Sequence, residues 1–165
     1  MQADGSFSSP LAKLERIVDE VGALHSKLVL LIGAPPTKKT ALLQALAKSR
    51  DVTPLNVGAE MGHRLAGMPQ RQRHLHTTTI LRELADLHAS SDLLLLDNLE
   101  LLFDRSLQLD PLDLLKRHAH AKRVVAVWPG DLQGDTKTGR LTYADMGHPE
   151  HQDYGLAGLI PFEIQ

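Results

Sequence analysis

Gly33, Lys39 and Thr40 stand at a spacing that suits the holding of a phosphate. The segment reads Gly33-Ala34-Pro35-Pro36-Thr37-Lys38-Lys39-Thr40. It follows the apolar run Lys27 to Ile32 and precedes Thr40 to Lys48, where Leu42, Leu43 and Leu46 share one helical face. In the pattern G-x-x-x-x-G-K-[ST] between a strand and a helix, amides at the helix start face an anion. The lysine then meets the terminal phosphates and the hydroxyl meets a magnesium ion. The candidates for holding ATP are therefore Gly33, Pro36, Thr37, Lys38, Lys39, Thr40 and Ala41, with Lys39 also a catalytic candidate. One position departs from the pattern: Lys38 stands where the second glycine belongs. Its Cβ is expected to strain torsions that glycine adopts freely, so Lys38→Gly is expected to raise affinity or turnover; the competing expectation is that Lys38 itself contacts phosphate and that the variant loses affinity. Pro35 and Pro36 also take two amide donors out of the loop.

A second group complements the first. Leu93-Leu94-Leu95-Leu96-Asp97 is a buried-strand run closed by a carboxylate. At a strand tip, Asp97 would join Thr40 in binding Mg2+, directly or through water. The next position, where a water-orienting glutamate is common, is Asn98. Glu100 is the nearest further carboxylate and a catalytic candidate, unless a tight turn aims it away. The competing structural role for Asp97 or Asn98 is to cap a helix beginning at Leu99.

Other clusters carry weaker signals. Arg64, Arg71, Arg73, His74 and His76 form a local basic stripe that could meet DNA phosphates or supply an arginine to a neighbouring subunit; a solvated helix face competes with both. His148-Pro149-Glu150-His151 reads as a turn rather than a zinc site, because no further ligand is evident. Trp128, at the end of an apolar run, cannot accept a hydrogen bond; it is expected to pack or to stack on a base.

The elements that must position these groups follow from patterning. Residues 1–8 read as a loose arm and 9–165 as one domain. Ser9-Pro10 starts a helix whose Leu11, Leu14, Ile17, Val18, Val21 and Leu24 share a face. Strands are expected at Lys27 to Ile32, Thr53 to Val57, Leu93 to Leu96, Arg123 to Trp128 and Leu159 to Ile164. Helix is expected over Glu60 to Ala89, broken near Gly67 to Pro69, then from Leu99, and from Asp110-Pro111 to about His120. A hairpin is expected over Asp135 to Thr142. Apolar strands alternating with helices predict an α/β, three-layer fold: a mainly parallel sheet with helices on both faces. Ligands then bind beyond the carboxyl ends of the strands, where Gly33, Asp97 and Trp128 fall. The net charge of -2 excludes a broadly basic nucleic-acid coat, and the absence of cysteine excludes disulfides and thiolate metal sites. No apolar run approaches the ~20 residues of a membrane helix, and a cytoplasmic protein is expected.

Through Gly33 to Thr40 and Leu93 to Asp97, the chain resembles AAA+-type P-loop ATPases, and the helical lid that normally follows their core is not expected in these 165 residues. Leu93 to Phe103 (LLLLDNLELLF), Arg123 to Gly130 (RVVAVWPG) and Leu141 to Tyr154 (LTYADMGHPEHQDY) resemble the BrxF family, small P-loop components of the BREX bacteriophage-exclusion defence systems. That resemblance implies an ATP-binding, possible ATPase subunit acting as a homo-oligomer or beside other defence proteins. The alternative is a hydrolysis-dead structural or DNA-associated module, which Lys38, the two prolines and Asn98 favour. A small-molecule kinase ranks third, because Arg140 is the only arginine after Trp128.

Overall fold

Runs of leucine, valine and isoleucine without polar alternation belong in strands covered on both faces, and the computed structural model places three of them side by side. It describes residues 9–23, 27–33, 36–90, 92–134, 139–143 and 152–164. In chain order, helix α1 spans Pro10–Val21, β1 Leu28–Ile32, α2 Pro36–Arg50, β2 Leu55–Asn56 and α3 Val57–Ala66. Then come α4 at Arg73–His88, β3 at Leu93–Asp97, α5 at Pro111–Ala121 and β4 at Arg123–Val127. Strands β5 (Asp131–Gln133), β6 (Arg140–Tyr143), β7 (Gln152–Tyr154) and β8 (Ile160–Glu163) complete the order.

Five strands pair in the order β2-β3-β4-β1-β8, every pair parallel. Successive side chains of a strand point to opposite faces, and each face buries its own core. On one face α1 and α2 bring Leu14, Val18, Leu43 and Leu46 against Val29, Leu31, Leu95 and Val125. On the other, α3, α4 and α5 bring Met61, Leu81 and Leu115 against Leu28, Leu30, Leu94 and Leu96. The expected α/β architecture with a parallel sheet between helical layers is thus present. All five residues of β1 are buried, each worth about 1.5–3 kcal/mol of apolar burial.

The helix starts follow from capping chemistry. Ser9 Oγ accepts the Ala12 amide at 3.1 Å ahead of Pro10, Asn56 Oδ1 accepts the Ala59 amide at 2.9 Å, and Asp110 caps α5 through the Asp113 amide at 3.2 Å. Each satisfies an amide that the helix itself cannot.

Three elements differ from expectation. The helical stretch begins at Val57 rather than Glu60, because Asn56 caps it there; a short 3-10 turn at Gln70–Gln72 then separates α3 from α4. The expected helix from Leu99 is a 3-10 turn, Glu100–Phe103, with no side-chain cap. The hairpin is wider than expected: Asp131–Gln133 pairs with Arg140–Tyr143, Leu132 opposite Leu141, and β7 adds to make a separate antiparallel sheet, β5-β6-β7. Residues 135–138 lie outside the described residues, as do 1–8, expected as an arm, and the turn His148-Pro149-Glu150-His151. Among the described residues no helix is long and apolar enough to cross a membrane.

Candidate functional site

The topology dictates where the chemistry-bearing residues meet. β1 runs onward to β2 at one edge of the sheet, while β4 runs onward to β8 at the other. Where neighbouring strands send their connections apart, a crevice opens at their carboxyl ends. β3 lies two places from β1, about 10 Å at ordinary strand spacing, with the end of β4 between them. The first turns of α2 span that gap.

Gly33 leaves β1 at φ 121°, a conformation open to glycine and barred to other residues. A Cβ there would also run into the main-chain oxygen of Ile164, which follows β8. Lys38 corrects the sequence reading. It lies within the first turn of α2, is exposed, and is absent from the non-glycine residues at positive φ. The helix begins early enough to absorb the second glycine's position, so no torsional strain attends Lys38. Because α2 starts at Pro36, which has no amide hydrogen, the Thr37 and Lys38 amides are the donors the helix geometry leaves over. Ala41 follows in the second turn, exposed.

Lys39 is 3% exposed, and its Nζ donates to the Trp128 main-chain oxygen at 2.7 Å. Burial holds its ammonium below the ordinary lysine range; the negative charges of Asp131, Glu100 and Asp97 oppose that shift without cancelling it. Thr40 Oγ1 donates to Asp97 Oδ1 at 3.3 Å, joining α2 to the end of β3. The same Oδ1 accepts the Asn98 amide at 2.8 Å.

That second bond comes from an unusual backbone. Asn98 sits at φ 57°, in the left-handed region that asparagine tolerates better than most residues. Its Nδ2 donates to Asn56 Oδ1 at 3.0 Å, and its main-chain oxygen accepts the Gly58 amide at 3.0 Å. Asn98 therefore ties the end of β3 to the start of α3. Neither Asp97 nor Asn98 caps the turn that follows. Glu100 is not aimed away: it lines a cleft of 260 Å³ with Lys39, Thr40, Asp97, Asn98, Leu99, Val127 and Pro129.

The structure thus brings Lys39, Thr40, Asp97 and Glu100 together, with Gly33 at the strand exit behind them. Asp131, whose charge acts on Lys39, escaped the sequence reading because it sits in a short strand with no motif around it. Trp128 is fully buried, so it packs and has no face free for a base. The basic stripe is partly engaged within the chain: Arg64 pairs with Glu83 at 2.8 Å, and Arg73 Nε donates to the Met68 oxygen at 3.2 Å.

The donor set suits a small hard cation shared with a phosphate. A hydroxyl and a carboxylate lie side by side, and Mg2+ commonly takes one or two protein oxygens while phosphate and water supply the rest. Among the described residues, no group of three or more histidine, aspartate and glutamate side chains could hold a metal by itself. No protein-family model matches the chain, and no curated protein matches it significantly.

Proposed function

We propose that the cleft binds ATP with Mg2+, and that the chain is a P-loop protein with an AAA+-like core. The observation that carries this reading is the Thr40–Asp97 contact, 3.3 Å across a three-strand span, beside the buried ammonium of Lys39. Thr40 and Asp97 would hold Mg2+, which when bound supplies charge to offset the phosphate oxygens. Lys39 would bind the terminal phosphates, and the Thr37 and Lys38 amides at the start of α2 would face the anion. Glu100 is the carboxylate in place to orient a water, since the Asn98 side chain is turned to Asn56.

The role we propose is that of an ATPase-type switch subunit in a bacterial anti-phage system of the BREX kind. It rests on the resemblance of Leu93 to Phe103, Arg123 to Gly130 and Leu141 to Tyr154 to BrxF. Assembly with itself or with other defence proteins, and contact with DNA through Arg64, Arg71 and Arg73, belong to the same proposal.

A second reading has a specific observation in its favour: Asn98 stands in the position after Asp97 and offers no base, so the site would bind nucleotide without hydrolysing it. Equilibrium dialysis of ATP with magnesium and with chelator, followed by phosphate release from wild type and Glu100→Gln, separates the two. Magnesium-dependent binding with release that Glu100→Gln abolishes supports the switch. Binding without release supports the second reading, and no binding overturns both.

A further inference from the structure

Lys39 is committed to a partner inside the protein. A buried ammonium must be hydrogen-bonded or it costs several kcal/mol, and here the acceptor is a main-chain oxygen, that of Trp128, at 2.7 Å. That oxygen is placed by the sheet. The Trp128 amide still donates to Leu31 at 2.9 Å and continues the β1–β4 ladder. β4 ends at Val127, one residue earlier, so the Trp128 carbonyl lies past the last ladder pair.

The side chain of the same residue reaches the other way. Trp128 Nε1 donates to the Thr142 main-chain oxygen at 3.1 Å, in the middle of the β5-β6-β7 sheet. The fully buried indole meets Phe103 edge-on, ring centroids 5.3 Å apart, and Tyr154 edge-on at 5.4 Å. Phe103 in turn stacks on Tyr143 at 4.0 Å. Phe103 closes the turn that Glu100 opens, and Trp128 lies between Val127 and Pro129, so two of the segments that line the cleft adjoin one aromatic cluster. Burial holds the Tyr154 hydroxyl protonated, its pKa pushed up to about 12.

We propose that Trp128 is the positioning residue of the site: its carbonyl is the resting acceptor from which Lys39 passes to a bound phosphate, and its indole transmits that exchange to the β5-β6-β7 sheet. The inference rests on the nucleotide reading above. One ammonium cannot keep full bonding to the carbonyl and also meet two phosphates, so binding competes with the resting contact. When Lys39 leaves, the Trp128 carbonyl loses its partner, while the Trp128 amide stays bonded to Leu31 and the indole stays bonded to Thr142. The small sheet is then the part of the fold that differs between empty and filled sites.

Trp128 is the sole tryptophan in the chain, so it reports on itself. Binding of Mg-ATP is followed by equilibrium dialysis, indole fluorescence and hydrogen exchange of residues 131–133 and 140–143, in wild type, Lys39→Met and Trp128→Phe. The expected result is a saturable fluorescence change in wild type, with altered exchange in both segments. Lys39→Met, brought to the same occupancy, should show neither. Trp128→Phe keeps a ring but drops the anchor to Thr142, which slackens the hold on Lys39. It should bind ATP about two- to tenfold more tightly, a part of the worth of the charged hydrogen bond that competes with phosphate, while melting at a lower temperature. Damage to packing alone would lower affinity and melting temperature together. Nucleotide binding without an indole or exchange response overturns the inference and leaves the nucleotide reading intact, as does weaker or equal binding by Trp128→Phe. Absence of binding by dialysis overturns both.

Discussion

Gly58→Ala separates the architecture of the site from the stability of the fold. Gly58 occupies the first turn of α3, and a Cβ built there would lie 2.5 Å from Asn98 Nδ2 and 2.9 Å from its Cγ. Both atoms belong to a side chain, so it is the Asn98 amide that must give way. Moving it breaks the 3.0 Å bond to Asn56 Oδ1, a neutral hydrogen bond worth about 1 kcal/mol net. Replacing a helical glycine by alanine returns up to ~1 kcal/mol through helix propensity. The two effects nearly cancel, and urea unfolding should place the variant within about 1 kcal/mol of wild type. The site is a different matter. Asn98 also orders the Asp97 carboxylate through its amide at 2.8 Å, from a left-handed backbone that the Asn56 bond helps to hold. Displacing Asn98 should loosen Asp97 and weaken ATP binding in magnesium about tenfold, roughly 1.4 kcal/mol, with little change in chelator. The double variant Gly58→Ala, Asn98→Gly has no side chain left to collide and a residue suited to φ 57°, so it should recover most of the affinity. Unchanged affinity in Gly58→Ala, or an equal fall with and without magnesium, would refute this account of how Asp97 is held.

Three further expectations test separate links. Lys38→Gly should not improve binding and should cost up to ~1 kcal/mol of stability, because Lys38 lies in the first turn of α2 without strain; a clear gain in affinity would contradict that placement. His118 has its pKa lowered by burial first and by the Lys122 charge second, with Asp86 opposing and Arg82 adding to the shift. Folding therefore disfavours its charged form: its contribution to stability is whole above the unfolded histidine value and is lost as pH falls through the lowered folded value. Thermal melts of wild type and His118→Gln should diverge above that window less than below it, with wild type losing more on acidification; parallel curves would count against the burial argument. Gly33→Ala should destabilise by at least ~1–3 kcal/mol through backbone strain alone, and a variant as stable as wild type in urea would show that the exit from β1 is not so tightly held.

Much of the fold was legible because its central strands are short apolar runs with a charged or glycine end: Leu28–Ile32 before Gly33, and Leu93–Leu96 before Asp97. Ser9-Pro10 and Asp110-Pro111 announced two helices by capping chemistry that acts locally. The β5-β6-β7 sheet was harder to read. Its strands have three or four residues, too few to establish a period of two, and the rings of Tyr143 and Tyr154 on them pack on Phe103, which lies far away in sequence. The site divides the same way. Lys39, Thr40 and Asp97 carry motif spacing, so they could be found from the sequence. Lys38 was misjudged, because the motif pattern says nothing of where the helix begins in a loop with two prolines. The roles of Asn98 and Trp128 depend on a left-handed turn and on a carbonyl past a strand end, and neither leaves a mark on residue type.

Calorimetric titration of wild type and Lys39→Ala with ATP and magnesium tests whether Lys39 anchors a bound nucleotide. Wild type should bind saturably, and the variant with an affinity at least tenfold weaker, about 1.4 kcal/mol or more. The loss should grow less as pH is raised through the lowered pKa of Lys39, since wild type then sheds the charge the variant never had. Equal affinities for the two proteins, or no binding by wild type, would contradict it.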